Sequence, residues 1–255
     1  MMKNNITTKT SICKGNLILI NSIYSLNTDE DAELIPVDEN SNILLQRQAA
    51  IFLKELMDSI NGWNYIVPVS GWRSFEEQTK IWNDTIKKSG PEFTKKFVAA
   101  PGHSEHQSGL AIDLGLKQKN IDFICPEFPY TGICQKFRSL AADYGFIQRY
   151  PADKENITGI SHEPWHFRYV GVPHAKIMKE HDFTLEEYIA FLKQYCKSKT
   201  PYTLLSSDRQ IQIYYIPSEK ETDIQSLING NFPCVISGNN ADGYIITEWR
   251  SLYEN

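Results

Sequence analysis

Strands and helices follow one another irregularly along this chain, with no repeated βα unit, which predicts an α+β architecture. Two local patterns support it. Apolar residues recur at helical spacing from Ile43 to Ile60 (Leu44, Ala49, Ile51, Leu53, Leu56), whereas Gly109 to Leu116 alternates with period two. At 255 residues the chain can bury a full core, as one large domain or as a domain with an appendage.

Taken in order, residues 16–24 read as a short strand, and an acidic, irregular stretch follows to residue 40. The long amphipathic helix of 43–60 is stopped by Gly62. Tyr65 to Val69 reads as a buried strand leading into Ser70-Gly-Trp-Arg-Ser74, where Ser74-x-x-Glu77 forms a capping box for a second helix. Gly90-Pro91 closes that helix, and Phe93 to Gln107 reads as a loop. In the strand 109–116, Leu110, Ile112, Leu114 and Leu116 share the apolar face, so Asp113 projects from the other. Cys134 to Tyr144 is a helix ended by Gly145; Trp165 to Val170 is a strand; Thr184-x-x-Glu187 caps a helix to about Cys196.

Lys197 to Pro201 reads as a linker. This divides the chain into a main domain, residues 1–200, and a small βαββ appendage, residues 201–255. The appendage comprises a strand over Gln210–Ile216, a helix over Asp223–Ile228, and strands Cys234–Ile236 and Tyr244–Glu248. The last two join as a hairpin through Asn239-Asn-Ala-Asp-Gly243.

A net charge of −5 and the lack of any Lys/Arg cluster give no support to a nucleic-acid or anionic-membrane partner. The one early apolar run, Asn16 to Ile20, is too short for a signal-peptide core or a membrane span, so the cytoplasm is the expected compartment. The five cysteines are odd in number and none forms a CxxC pair, which favours reduced thiols over a Cys-ligated metal or a redox motif. Oligomeric state is not legible.

Two motifs carry the chemistry-bearing residues: Ser104-Glu-His-Gln-Ser-Gly-Leu-Ala-Ile-Asp113 and Glu163-Pro-Trp-His166. Together they offer two histidines and a carboxylate as metal ligands, plus a spare carboxylate. A catalytic zinc site takes three protein ligands and leaves one position for water, and the spare carboxylate is the natural general base. In a straight strand His106 and Asp113 would stand ~23 Å apart, at ~3.3 Å per residue. They converge only if the chain turns between them, which Gly109 permits. His162-Glu-Pro-Trp-His166 matches HExxH, but that pattern needs a helix, and Pro164 would break one. We therefore read Glu163 and His166 as acting from a strand entrance, with His162 a bystander. Singly, His106, Asp113 and His166 have ordinary readings as loop histidine, solvated aspartate and strand residue; jointly, with Glu163 beside one of them, they favour a metallohydrolase. His103 reads as a loop histidine, and His174 and His181 as residues of a surface helix.

The run Pro101 to Asp113, with Ser70 to Ser74 before it and Glu163-Pro-Trp-His-Phe-Arg-Tyr-Val170 after it, resembles the VanY-type D-alanyl-D-alanine carboxypeptidases. These are zinc peptidases of peptidoglycan metabolism that share a fold with the Hedgehog signalling domain. The lack of a membrane anchor is similar to the cytoplasmic VanXY branch, bifunctional D,D-dipeptidases and D,D-carboxypeptidases of vancomycin resistance. The resemblance covers residues 15–196 and implies a central antiparallel sheet flanked by helices, with one catalytic zinc ion. It implies His106, Asp113 and His166 as zinc ligands, Glu163 as catalytic base, and Arg73 as oxyanion stabiliser. Gln78 and Ser104 would contact substrate and Trp165 would line the pocket. For Gln78 an exposed helix face, and for Trp165 the core, are the ordinary alternatives. The implied substrates are D-Ala-D-Ala and UDP-MurNAc-pentapeptide, with residues 93–100 as a gate. Two other readings stay open: an L-Ala-D-Glu endopeptidase of the same fold, and a non-catalytic zinc-stabilised binding module. Retention of Glu163 and Arg73 argues against the last.

Overall fold

The computed structural model describes residues 11–26, 33–39, 41–196, 200–205, 209–218 and 232–251. The chain divides into two compact units, Ile20–Glu186 and Met1–Leu19 with Glu187–Asn255. The division falls at 186/187 where the sequence suggested 200, and the second unit also takes in the start of the chain.

The larger unit opens with a hairpin of β1 (Leu34–Pro36) and β2 (Leu44–Gln46), followed at once by α1 (Arg47–Ser59). The apolar spacing from Ile43 therefore spans a strand and a helix rather than one helix. β3 (Ile66–Ser70) leads to α2 (Phe75–Phe97), whose Ser74–Glu77 capping box forms as expected. The helix does not end at Gly90-Pro91. Gly90 takes φ +83°, the axis kinks, and Pro91 opens a further stretch to Phe97, since proline suits a first helical turn. The segment 93–107 is thus helix, then a short link, then a 3₁₀ turn at Glu105–Ser108, rather than a loop. β4 (Ala111–Leu116), α3 (Gly132–Ala141), β5 (Phe146–Tyr150), α4 (Glu155–Thr158), β6 (Glu163–Tyr169) and α5 (His174–His181) complete the unit. β5 escaped the sequence reading.

The sheet has the order β3-β4-β6-β5, antiparallel throughout. Its two faces are occupied differently. Phe167 of β6 lies opposite Ile112 of β4 and packs edge-to-face on Phe128 and Phe137, with ring centroids 5.4 and 4.9 Å away. The next pair, Asp113 and His166, points to the other face because side chains alternate along a strand. That face is buried as well: Asp113 and His166 are each 4 % exposed. The polar side of β4 is therefore an enclosed site, not a solvated surface.

In the smaller unit β7 (Tyr202–Leu205), β8 (Arg209–Pro217), β9 (Cys234–Gly238) and β10 (Gly243–Ser251) form an antiparallel sheet in the order β7-β8-β10-β9. The hairpin through 239–243 is present; Asn239 Oδ1 accepts from the backbone N–H groups of Ala241, Asp242 and Gly243. β7 was not anticipated, and the expected helix at 223–228 lies outside the described residues, as do linker residues 197–199. Residues 16–24 form no strand. Leu17, Ile18 and Leu19 are buried, but their segment is tied by isolated bonds rather than a ladder: Leu17 N–H to Ser237 Oγ, and Asn240 Nδ2 to the Leu19 carbonyl. α6 (Leu185–Leu192) spans the boundary between the units. All five cysteines are free thiols. Among the described residues no helix is long and apolar enough to cross a membrane.

Candidate active site

Four local devices bring the polar residues together. Gly109, at φ +70°, turns the chain from the 3₁₀ turn into β4 and lets His106 face Asp113. Cross-strand pairing sets Asp113 of β4 against His166 of β6 and against Ser70 of β3. An irregularity in β6 does the rest: between the pairs Gln148–Phe167 and Tyr150–Glu163, two steps on β5 face four on β6. A bulge of this kind re-aims side chains, so Glu163 and His166 both enter the site despite their odd spacing. Pro164 lies within the bulge, where a missing N–H costs the ladder nothing, and its carbonyl accepts from Arg138 Nη2 at 3.0 Å. The strand assignment also removes the helical reading of HExxH; His162 instead meets the Tyr130 hydroxyl at 2.7 Å.

His106, Asp113 and His166 each offer a ligand atom within 4.8 Å of the others. His106 Nε2 stands 3.1 Å from Asp113 Oδ2, and His166 Nδ1 2.9 Å from Asp113 Oδ1. The far nitrogen of His106, Nδ1, is 2.7 Å from the Gly71 carbonyl. Such a group of two imidazoles and one carboxylate could hold a divalent cation. Glu163 Oε2 lies 3.7 Å from His166 Nδ1, beside the group and surplus to it. Arg73 donates from Nη2 to Asp113 Oδ2 (2.9 Å), from Nη1 to Gln78 Oε1 (3.0 Å) and from Nε to Ser70 Oγ (2.7 Å).

Burial alone would disfavour every charge here, and the partners decide which survive. Burial opposes ionisation of Asp113, yet His106 and His166 outweigh it and hold the carboxyl well below its usual range. His166 is raised to about 9 against burial by its hydrogen bond to Asp113 and the nearby carboxylates of Glu105 and Glu163, and His106 is lowered to about 4 by burial and the Arg73 charge. Glu163 is pushed up to about 8, chiefly by burial; His166 and Arg73 pull against the shift, while the charges of Asp113 and Glu105 add to it.

Arg73, Ser104, His106, Asp113, Glu163 and Trp165 line one cavity of about 40 Å³. Gln78 is fully buried rather than on an exposed helix face. Its amide bridges Arg73 and the Ala99 carbonyl (2.7 Å), behind the cavity. Phe97, Val98 and Ala99, from the segment expected to gate the site, line it. His103 bonds the Asn21 carbonyl through Nδ1, and His174 is buried, not solvated. The sequence reading passed over Glu105, Arg149 and Arg168. The available signal was two arginines inside otherwise apolar strands, Phe-Ile-Gln-Arg-Tyr150 and Phe-Arg-Tyr169, which implies a buried acidic partner.

The family model "VanY: D-alanyl-D-alanine carboxypeptidase" matches residues 42–172. The chain belongs to this family. Within it, the chain is 43% identical over 182 residues to the bifunctional D-Ala-D-Ala dipeptidase and D-Ala-D-Ala carboxypeptidase VanXYC of Enterococcus gallinarum, covering 70% of this chain and 95% of that one. It also resembles the crystal structure of the vancomycin resistance D,D-dipeptidase VanXYg in complex with a D-Ala-D-Ala phosphinate analog. There the identity is 51%, the TM-score 0.89, and the coverage 94% of this chain and 95% of that one. A D,D-pentapeptidase VanY mutant from a VanB-type cassette, in complex with Zn(II), is 30% identical with a TM-score of 0.56, covering 68% of this chain and 98% of that one.

Proposed function

We propose that the chain is a cytoplasmic zinc D,D-peptidase that hydrolyses D-Ala-D-Ala and removes the C-terminal D-alanine from peptidoglycan-precursor pentapeptides. Glu163 carries the reading: a buried carboxylate beside a His-Asp-His group, not needed to complete it, and held at about 8. A structural metal site has no use for such a group; a hydrolase does.

The donor set fits zinc. His106 through Nε2, Asp113, and His166 through Nδ1 would hold it, with the fourth position left for water. Bound there, zinc lowers the pKa of its water toward about 7 and polarises a carbonyl. Glu163 takes the proton of the attacking water and passes it to the departing D-alanine amine, both transfers made from one carboxylate beside the ligand group. Arg73 stabilises the carbonyl oxygen as negative charge develops. A guanidinium has about five N–H donors, and the bonds to Ser70, Gln78 and Asp113 leave one on each terminal nitrogen. Gln78 thus positions Arg73, while Ser104 and Trp165 remain the substrate contacts. Arg73, Ile81, Phe123 and Ile124 also line an adjoining cleft of about 510 Å³, which suits the longer acyl portion of a pentapeptide.

The test is D-alanine release from D-Ala-D-Ala and from UDP-MurNAc-pentapeptide, with and without a zinc chelator. Release from both that stops on chelation supports the proposal. Zinc binding with no release from either would overturn it in favour of an endopeptidase or a binding module.

A further inference from the structure

The two ligand imidazoles are held from behind by different groups. His106 has the Gly71 carbonyl at Nδ1. His166 turns Nδ1 toward Asp113 and Glu163, which leaves Nε2 on the opposite edge of the ring, 3.5 Å from Glu105 Oε2. Neither atom has a hydrogen-bond partner among the described residues, and both belong to buried side chains, Glu105 at 1 % and His166 at 4 % exposure. Two orphaned buried atoms that face each other call for a shared proton.

We infer that Glu105 is a positioning residue for the metal site: its Oε2 accepts the Nε2 proton of His166 and so commits Nδ1 to the cation. The inference rests on the zinc reading above. Glu105 is built for the task. Its other oxygen, Oε1, accepts from Arg149 Nε at 2.8 Å and Arg168 Nη1 at 2.7 Å, so the carboxylate cannot swing away. Arg149 is itself clamped by Glu186, at 2.8 Å through Nη1 and 2.6 Å through Nη2, and Arg168 Nε donates to the Tyr169 carbonyl at 3.1 Å. The Tyr150 ring, centred 4.9 Å from that of His166, bounds the imidazole from another side. The 3.5 Å separation is longer than a hydrogen bond, and a ring shift of about half an ångström closes it to the usual length. A metal on Nδ1 requires the remaining proton on Nε2, and a carboxylate acceptor there fixes the tautomer and raises ligand basicity.

A purely structural Glu105, serving only to neutralise two arginines, would leave the tautomer of His166 unset, and this separates the two roles. The measurement is long-range ¹H–¹⁵N correlation on the full chain, labelled in histidine and loaded with zinc, with no substrate present. Expected is a low-field, exchange-protected proton on His166 Nε2, assigned by connection to its own backbone. A His166 protonated at Nδ1 and bound to zinc through Nε2 would overturn the inference, and this readout needs no substitution. In Glu105→Gln, checked for folding by circular dichroism, the proton should move upfield and zinc affinity by chelator competition should fall about 10- to 100-fold. An unmoved proton and an unchanged affinity in a folded variant would also overturn it. The spectrum does not depend on turnover, so a chain that releases no D-alanine would refute the proposed substrate while leaving the tautomer result standing.

Discussion

Glu105 and Glu163 approach opposite edges of the same imidazole, and burial treats them alike: both are almost wholly sealed from solvent. Their charge states differ because their neighbours do. Burial opposes ionisation of Glu105, but Arg168 and Arg149 overcome it and hold the carboxyl far below its ordinary value. Glu163 makes no comparable bond to a cation, and it rises to about 8. One carboxylate is a fixed charge; the other can exchange a proton near neutrality. The difference comes from which carboxylate is anchored by guanidinium hydrogen bonds, and depth of burial alone does not distinguish them.

Removing the anchor on one side should have the largest effect on stability. Arg149→Met strips Glu105 of one partner and Glu186 of its bidentate one, and breaking a buried pair costs about 3–5 kcal/mol. Denaturant unfolding reads this, and a loss below about 1 kcal/mol would mean Glu105 is neutralised elsewhere. On the other side, Arg73→Lys keeps a charge but loses the fork that spans Ser70, Gln78 and Asp113. Its kcat should fall about 10²- to 10³-fold with little change in melting temperature; near wild-type kcat would remove Arg73 from the oxyanion role. Gly109→Ala disturbs the bend that joins His106 to Asp113. A Cβ there would sit 2.8 Å from Leu34 Cδ2 at φ +70°, and a left-handed alanine costs about 1–2 kcal/mol.

The metal-free chain should also show a pH dependence. Glu163 and His166 both bind protons more tightly folded than unfolded, rising from 4.5 to about 8 and from 6.5 to about 9. Groups raised in this way contribute stability at low pH and lose it as pH climbs through the folded values. With chelator present, the melting temperature should therefore drop between about pH 6 and pH 9. Excess zinc should flatten the slope, because ligation takes over from protonation. A rise over that interval would contradict the two shifts.

Much of this was legible in residues close together along the chain. The Ser74–Glu77 cap, the period-two strand entering at Gly109, and Pro164 as a bar to helical HExxH each depend on neighbours a few positions away. Arg73, Ser104, His106, Asp113, Glu163, Trp165 and His166, all singled out in the sequence, line the cavity. The misses depend on long-range partners. Residues 16–19 are apolar enough for a strand, but they bond to the end of β9 and the turn after it, some 220 residues on. Gln78 and His174 sit at positions a helical wheel leaves ambiguous, and only tertiary packing buries them. The Glu105–Arg149–Arg168–Glu186 network joins four separate segments, and the two strand arginines signal a buried acid without showing which acid it is.

The most direct test of the account is Glu163→Gln, assayed for zinc content and for D-alanine release from D-Ala-D-Ala in the same preparation. The account predicts a full equivalent of zinc, an unchanged fold, and turnover lower by about 10²- to 10⁴-fold. Zinc-replete Glu163→Gln that still releases D-alanine at the wild-type rate would show that the proton goes elsewhere, and would contradict it.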